Sequence, residues 1–372
     1  MSRWETTSVA PDTDHTAWLR LTLVPGVGAA SQRALLSAFG PPEQVLSASR
    51  TSLSGIVGHE TADRLLTGPD PAVLDAALSW LAEPGHHLLT LADAAYPPTL
   101  LEIADPPTLL YVIGNPTLLS RPSLAMVGAR SATPQGSDNA RAFARSLAGS
   151  GLCIVSGLAL GIDTAAHRGA LEADGGTTVA VIGTGADRVY PARNRDLAHR
   201  IAAQGAIVSE LPLGTQPLAH NFPRRNRIIA GLARGVLVVE AAPDSGSLIT
   251  ARLAGENGRE VMAIPGSIHS PLSRGCHRLI REGAKLVETA TDVLEELRWN
   301  APAAEVSPAR SATPATDPQA AQVLEAMGFD PVTPELLVER CGLTLDALYA
   351  ILLGLELDGQ VASLPGSRFQ RL

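Results

Sequence analysis

The chain has 372 residues, of which 45% are hydrophobic, and its formal net charge at pH 7 is -8. This length is typical of two or three domains, and the apolar content is sufficient for packed cores, which excludes a wholly disordered chain. Its cysteines, Cys153, Cys276 and Cys341, are far apart and form no CxxC pair, which argues against a disulfide framework or a zinc site.

The N-terminal residues 1–16 predict a disordered tail. They lack the basic start and the apolar run of a signal peptide, and no apolar stretch of the sequence is long enough to cross a bilayer. We therefore expect a cytoplasmic protein without a membrane contact.

Residues 17–105 predict a small domain of short helices joined by turns. Residues 23–40, LVPGVGAASQRALLSAFG, have the Pro-Gly-apolar-Gly turn and the amphipathic helix of a helix-hairpin-helix, and residues 53–66 are a looser second copy. Such a turn can expose amide groups to a phosphate, but an ordinary packed hairpin explains the same pattern. Because residues 1–120 contain 5 basic and 12 acidic side chains, we favour the packed hairpin.

Residues 106–298 predict a doubly wound, Rossmann-like α/β domain with a mostly parallel sheet. Seven short apolar runs alternate with amphipathic helical segments, most of which end in glycine. Continuous apolar runs of this kind form strands that are buried on both faces. The predicted strands are SLAMVGAR, LCIVSG, TTVAVIGTG, AIVSEL, GVLVVEAA, EVMAIPG and AKLVE.

The C-terminal part predicts a linker and a winged helix. Residues 299–318 are rich in Ala, Pro, Ser and Thr, a composition typical of a flexible linker. Residues 319–372 contain three helix-sized segments followed by a hairpin pattern, as in a winged helix. The third segment carries Asp346, Glu356 and Asp358 but neither Arg nor Lys, so we favour protein contact over DNA reading for this domain.

The Rossmann-like domain offers an anion site at the carboxyl edge of its sheet. In open parallel sheets, ligands bind beyond the carboxyl ends of the strands, where small residues lead into helix N-termini with free amide groups. Residues 121–298 also carry a net charge of +4, from 20 basic and 16 acidic side chains. The strand-end residues predicted to line this site are Gly128, Arg130, Ser156, Gly157, Ser245, Gly246 and Ser247.

The motifs at these strand ends do not fit NAD or ATP, and we predict no cofactor. The first turn, GARSATPQGS, lacks GxGxxG, the second strand ends in Ser156 and Gly157 rather than in an acid, and no GxxxxGK[ST] motif exists. A single-stranded polynucleotide fits better, because such a ligand needs a cationic groove and aromatic rings on which bases stack.

The segment HNFPRRNRIIAGLARG, residues 220–235, supplies both the charge and a ring. Phe222 stands beside three arginines, and Tyr190 lies near a second group of arginines after the third strand. Asn221 predicts a helix N-cap, with Pro223 tolerated in the first turn. The arginines would then lie where the helix dipole already favours phosphate.

The three arginines of this helix cannot all face one ligand. Arg224 and Arg227 share a helical face, whereas Arg225 points elsewhere. We expect at most two of them to contact nucleic acid and the third to form a structural ion pair. The alternative is that all three pair with acids such as Glu210 and Glu240.

Several long motifs in this order are similar to one family. The middle domain resembles the DNA-processing protein A family, DprA or Smf, through VGAR (127–130), GIDTAAHRGAL (161–171), NFPRRNRIIAGL (221–232), SGSLITARLA (245–254) and IPGSIHSPLSRGCHRLIREGA (264–284). The end domains resemble the helical N-terminal and winged-helix C-terminal modules of longer members.

The resemblance implies a single-stranded DNA-binding protein and not an enzyme. Such a protein protects incoming DNA during natural transformation, helps to load the RecA recombinase, and dimerises through the Rossmann-like domain. In the family the arginine of the GxR turn and the FPxRNR segment contact DNA, which carries over to Arg130, Phe222, Arg224, Asn226 and Arg227.

The main rival is an enzyme similar to the phosphoribohydrolases that act on nucleotide monophosphates. Glu240, at a strand end, would be its carboxylate, but APDSGSLITA does not match the PGGxGTxxE turn of that group, so we expect Glu240 to be a buried partner of an arginine. Asp163 and His167 stand four residues apart on one helix and could begin a metal site. No third ligand follows at a useful spacing, so we expect no metal and assign both to capping and internal hydrogen bonding.

Overall fold

The computed structural model describes residues 15–299, 317–329 and 331–372. The predicted tail therefore lies outside the described residues except for residues 15 and 16, which begin the first helix. Of the predicted linker, residues 300–316 lie outside them. No helix in the described ranges has the length and apolar character needed to cross a membrane.

The N-terminal region is helical, as predicted, and contains two helix-hairpin-helix units. Its helices are α1 (His15–Thr22), α2 (Ala29–Phe39), α3 (Pro42–Ser47), α4 (Arg50–Val57), α5 (His59–Thr67), α6 (Pro71–Leu81) and α7 (Pro98–Leu101). The first unit is α1 and α2 with the turn between them, and the second is α4 and α5, which meet at Gly58. Leu35, Leu53 and Leu65 belong to one core that joins the two units.

Nine strands form one sheet in the order β1-β2-β6-β5-β4-β3-β7-β8-β9. Strands β3 to β9 are mutually parallel, which confirms the predicted Rossmann-like class. The strands are β1 (His86–Thr90), β2 (Leu109–Gly114), β3 (Ser123–Val127), β4 (Cys153–Ser156), β5 (Thr177–Val181), β6 (Ala206–Ser209), β7 (Gly235–Val238), β8 (Glu260–Ala263) and β9 (Lys285–Leu286).

Helices cover both faces of the sheet, because its strands are apolar on both sides. In β3, Leu124 and Met126 pack into one core, and Ala125 and Val127 into the other. These helices are α8 (Pro134–Gly149), α9 (Ile162–Glu172), α10 (Arg195–Gln204), α11 (Asn221–Leu232), α12 (Gly246–Glu256), α13 (Arg274–Arg281) and α14 (Ala290–Glu296).

The expectation that residues 17–105 contain only helices and turns was wrong for residues 86–90. They form β1, which pairs antiparallel with β2, and β2 pairs antiparallel with β6. Two histidines begin this five-residue strand, so it lacks the continuous apolar run by which the seven predicted strands, β3 to β9, were found. Strand β2 was not among the predicted strands either. Burial of Leu88 and Leu89 against the rest of the protein stabilises β1 as a strand.

The C-terminal domain is a winged helix, as predicted. Three helices are followed by an antiparallel hairpin: α15 (Pro318–Met327), α16 (Pro334–Cys341), α17 (Leu345–Leu357), β10 (Val361–Leu364) and β11 (Arg368–Arg371). Leu337, Leu348, Leu352 and Phe369 lie in its own core.

Candidate nucleic-acid interface

An open crevice of about 560 Å³ lies at the carboxyl edge of the parallel sheet. It lies where the strand order reverses, since β3 is flanked by β4 on one side and β7 on the other. This is the position at which open α/β sheets bind ligands. The crevice brings together the predicted residues Gly128, Arg130, Phe222, Arg225, Asn226, Ser245, Gly246 and Ser247.

One wall of the crevice combines an exposed cation with two aromatic rings. The guanidinium carbon of Arg130 lies 5.3 Å from the centre of the Phe222 ring. The Tyr190 ring lies 5.7 Å from the Phe222 ring at an interplanar angle of 41°, and 46% of Tyr190 is exposed. Phe222 lies directly over Gly183, where a β-carbon would come within 2.9 Å of the ring. The wall can therefore offer a base a stacking surface and a phosphate a charge.

A second guanidinium, that of Arg225, is buried in the floor of the crevice. It donates hydrogen bonds to the carbonyl oxygens of Gly157, at 2.6 Å, and of Val181. Gly157 makes room for it, because a β-carbon there would lie 2.1 Å from Nη1. Burial lowers the pKa of Arg225 to about 10, opposed by the nearby Asp163 carboxylate, so Arg225 stays charged at neutral pH.

Two carboxylates of the protein accept hydrogen bonds from backbone amides in the loops that follow β4 and β3. Asp163 accepts hydrogen bonds from the amides of Gly157, at 3.1 Å, and Ala159, at 3.2 Å. Glu240 accepts from the amide of Thr133, at 2.9 Å, and from its hydroxyl, at 2.6 Å, next to the start of α8. The expectation of free anion-binding amides was therefore wrong for these loops.

The remaining strand-end residues lie at the start of α12. Ser245 is the N-cap of that helix, and its hydroxyl oxygen accepts a hydrogen bond from the amide of Ser247 at 3.3 Å. Gly246 is exposed and lines the crevice with both serines. The first turn of α12 therefore adds a helix N-terminus to the crevice, where the helix dipole favours an anion.

Among the described residues, no arginine pairs with Glu240, contrary to expectation. Burial raises the pKa of its carboxyl, and the two hydrogen bonds from Thr133 lower it. Because Thr133 is itself the N-cap of α8, Glu240 completes the cap of this helix. Glu240 does not line the crevice, so it is not placed to act on a ligand there.

Asp163 and His167 serve internal hydrogen bonding, as predicted. The Thr178 hydroxyl donates to the Ile154 carbonyl oxygen at 2.6 Å, so it must accept from Nδ1 of His167, 2.7 Å away. Nε2 of His167 is buried and has no hydrogen-bond partner among the residues that the structure describes. Within the described ranges, no three His, Cys, Asp or Glu side chains are grouped closely enough to hold a metal ion.

We expect His167 to make stability pH-dependent. Burial, together with the nearby Arg225, lowers its pKa from the usual 6.5 to about 3. Above pH 6.5 the neutral ring of His167 contributes fully to the free energy of unfolding. As the pH falls from 6.5 towards 3 this contribution is lost, because His167 binds a proton in the unfolded chain but not in the folded one. From pH 7 to pH 5 the free energy of unfolding should fall by about 2 kcal/mol more than in His167→Gln.

Urea unfolding of both proteins at the two pH values measures this difference. Asp163, whose pKa burial raises, acts in the opposite sense but is present in both proteins. His199→Gln, a change of an exposed histidine on α10, is the matched control. Parallel pH profiles of wild type and His167→Gln would contradict the assignment.

The structure separates Arg224 and Arg227 from the crevice. Arg227 is buried and pairs with Glu210 and with Asp105, the latter at 3.1 Å. Arg224 is half exposed, and its Nε lies 3.4 Å from Glu210. These two arginines share a helical face, as predicted, but Arg225, which we expected to point elsewhere, is the one that lines the crevice.

Two further predicted residues lie behind the crevice wall. Asn221 is the first residue of α11 rather than its N-cap, which is His220, and its side-chain amide donates to the Gln216 carbonyl oxygen at 3.5 Å. Ser156 is buried and donates to the Met126 carbonyl oxygen at 2.6 Å. Pro223 stands in the first turn, as predicted.

The exposed loop between β6 and α11 adds residues that the sequence analysis missed. Pro217 and Ala219 of this loop line the crevice, as do Ile229 and Thr250 from α11 and α12. None of them has a side chain whose chemistry suggests a ligand. Only their positions in the sequence could have indicated them: Pro217 and Ala219 stand just before a predicted helix, and Ile229 and Thr250 lie within predicted helices.

Known families match along most of the chain. The family model described as DNA recombination-mediator protein A matches residues 87–298, the DprA winged helix domain matches residues 307–367, and the SAM-like Helix-hairpin-helix tandem matches residues 19–68. The chain is 43% identical over 311 residues to Protein Smf of Escherichia coli, covering 82% of each chain.

Two solved structures share the fold at appreciable identity. The X-ray structure of DNA processing protein A from Streptococcus pneumoniae has a TM-score of 0.68 and 41% identity, covering 76% of this chain and 97% of that one. The protein from Helicobacter pylori has a TM-score of 0.52 and 31% identity, covering 57% and 96%. The latter structure is described as giving insights into a single-stranded DNA binding mode of that protein.

Proposed function

This chain belongs to the DNA recombination-mediator protein A family, DprA or Smf, and from that premise we propose that it binds single-stranded DNA in the crevice at the carboxyl edge of its sheet. Arg130 would contact a phosphate, Phe222 and Tyr190 would stack on bases, and the first turn of α12 at Ser245–Ser247 would receive a further phosphate.

The observation that carries the proposal is the wall formed by Arg130, Phe222 and Tyr190 above the buried charge of Arg225. A groove that is cationic and aromatic suits unpaired DNA, since every base has a face that can stack. The relative from Helicobacter pylori, whose structure concerns single-stranded DNA binding, supports the same ligand class.

We propose further that the protein is not an enzyme. Asp163, the acidic side chain among the residues that line the crevice, is held by two backbone amides and faces Arg225. Glu240, the carboxylate that the rival phosphoribohydrolase hypothesis needs, caps α8 instead. The described residues that line the crevice therefore offer binding groups but no free carboxylate.

The family resemblance supports a finer proposal, in which the bound strand is handed to the RecA recombinase and the protein acts as a homodimer in the cytoplasm. On single-stranded DNA that is coated with a competing DNA-binding protein, RecA should form filaments faster when this protein is present than when it is absent. Sedimentation equilibrium measures the dimer. A monomer would contradict the homodimer, and an unchanged rate of filament formation would contradict the transfer of the strand to RecA.

Arg130→Ala should weaken binding of single-stranded DNA at least tenfold and flatten its salt dependence. Each phosphate contact on single-stranded DNA adds about 0.7 to the magnitude of the log–log salt slope, so losing one contact should reduce that magnitude by about 0.7. Fluorescence anisotropy with an oligonucleotide at several salt concentrations measures both quantities. Arg141→Ala is the matched control, because Arg141 is an exposed, ion-paired arginine on α8 that does not line the crevice.

The outcome that would contradict the DNA proposal is equal affinity for wild type and Arg130→Ala. Titration with mononucleotides and with duplex in the same assay separates the ligand classes. Turnover of a nucleotide monophosphate would support the enzyme instead.

A further inference from the structure

The third helix of the winged helix, α17, is apolar on both its inner and its outer side. Its inner side packs Leu348, Leu352 and Leu355 into the core of that domain. Its outer side carries four large apolar residues that are 43–81% exposed and recur every four positions, which we call the α17 stripe: Leu345, Tyr349, Leu353 and Leu357. Residues four apart lie on the same side of a helix, so the four side chains form one continuous strip.

The α17 stripe has the shape of a surface on which another helix packs. A helix that is apolar all round is normally buried, and a contiguous exposed apolar patch marks a site of interaction. From Leu345 to Leu357 the stripe extends over about 18 Å, at about 1.5 Å per residue. Ala350 and Gly354 are exposed beside it, and their small side chains allow a partner to approach closely. The stripe can therefore contact three turns of a second helix.

The charged residues of α17 are all acidic. Asp346 and Glu356 are exposed on the outer side of the helix, and Asp358 is its C-cap, where the helix dipole disfavours a carboxylate. Within the described ranges, no Arg, Lys or His forms an ion pair with any of these three. Residues 317–372 as a whole contain 3 basic and 8 acidic side chains. The stripe therefore combines apolar surface with negative charge that a partner could neutralise.

This combination argues against the other occupants of such a surface. DNA and anionic lipid are polyanions, which the carboxylates of α17 repel. A second copy of the chain would bring the same carboxylates together across a two-fold interface, at a cost in like-charge repulsion. Residues 1–14 contain one basic and three acidic side chains, and residues 300–316 contain a single large apolar residue, Val306, so neither segment complements the stripe.

We propose that the α17 stripe is the docking site for an amphipathic helix of a partner protein, with apolar residues on one side and Lys or Arg beside them. Leu353 and Leu357 pack against the apolar side of that helix, and Asp346 and Asp358 pair with its cations at the two ends of the stripe. The proposal gives a partner class to the protein contact that the sequence of this domain favours. It does not depend on DNA binding in the crevice.

The first test measures binding of two fluorescent synthetic peptides to the full chain by anisotropy. Both peptides are alanine-rich helices of about 18 residues with leucines at every third or fourth position. One carries lysines beside the leucines and the other carries glutamates at the same positions. We expect the lysine peptide to bind at least tenfold more tightly, and its affinity to fall as salt screens the carboxylates. Equal affinities for the two peptides, or no binding of the lysine peptide, would overturn the proposal.

Leu353→Ala should weaken the lysine peptide about tenfold, because it removes an apolar contact from the middle of the stripe. Leu353 is 60% exposed and alanine favours a helix, so the variant should fold. Leu101→Ala is the matched control, since Leu101 is 54% exposed on α7. If Leu353→Ala binds the lysine peptide like wild type, the stripe is not the docking site.

The acidic residues are tested by Asp346→Asn, which should weaken the lysine peptide severalfold and reduce its salt dependence. Asp75→Asn, a change of an exposed aspartate on α6, is the matched control. An unchanged affinity and salt dependence for Asp346→Asn would overturn the choice of a cationic partner.

Two further measurements on Leu353→Ala distinguish the partner helix from other occupants. A change of oligomeric state in sedimentation equilibrium would assign the stripe to a second copy of the chain, and weaker binding of oligo(dT) would assign it to DNA. Either result would overturn the proposal, which expects both properties to match wild type. Arg130→Ala should bind the lysine peptide like wild type, so failure of the DNA proposal would leave this one standing.

Discussion

Arg225→Ala should lower the free energy of unfolding by about 3–5 kcal/mol, whereas Arg224→Ala should lower it by no more than about 1 kcal/mol. The two arginines are adjacent in the sequence, but their surroundings differ. Arg225 is buried, donates to two carbonyl oxygens and faces Asp163, so its removal leaves a buried carboxylate without its counter-charge. Arg224 is half exposed and makes a 3.4 Å ion pair in contact with solvent.

Urea unfolding of the two variants measures the difference. A double-mutant cycle with Asp163→Asn isolates the pair, because neutralising Asp163 should recover part of the stability that Arg225→Ala loses. Arg225→Lys should be intermediate, since lysine keeps the charge but not the planar fork of donors. Equal losses for Arg224→Ala and Arg225→Ala would contradict the burial that the structure assigns to Arg225.

Phe222→Leu should weaken binding of single-stranded DNA by about 5-fold to 150-fold without changing the salt slope. The loss corresponds to one stacked base, worth about 1–3 kcal/mol, and stacking releases no counterions. Leucine keeps an apolar side chain over Gly183, so the packing at that point is largely retained. The unchanged slope distinguishes this variant from Arg130→Ala, which removes a phosphate contact.

Anisotropy titrations at several salt concentrations measure affinity and slope together. Tyr349→Leu is the control, because it removes a ring that is 43% exposed on α17 of the winged helix. The stacking role is wrong if Phe222→Leu binds like wild type. A flattened slope would instead mean that the change had displaced Arg130, whose guanidinium lies 5.3 Å from the ring.

The functions of the three arginines show where the sequence was insufficient. Helical periodicity correctly placed Arg224 and Arg227 on one face, away from Arg225, because it depends on local geometry. Periodicity does not show what each face meets. Glu210 is 17 residues from Arg227 and Asp105 is 122 residues away, so their ion pairs form only when α11 packs in the tertiary structure.

The sequence by itself determined the class of the fold and the position of the crevice. Apolar runs buried on both faces specify parallel strands, and small residues at their carboxyl ends mark the edge where a ligand binds. Tertiary structure decided how these groups are used. It assigned the loop amides to Asp163 and Glu240, placed Arg225 in the crevice floor and added β1 to the sheet. Partners distant in sequence compete for the same donors and surfaces, and only packing decides which of them meet.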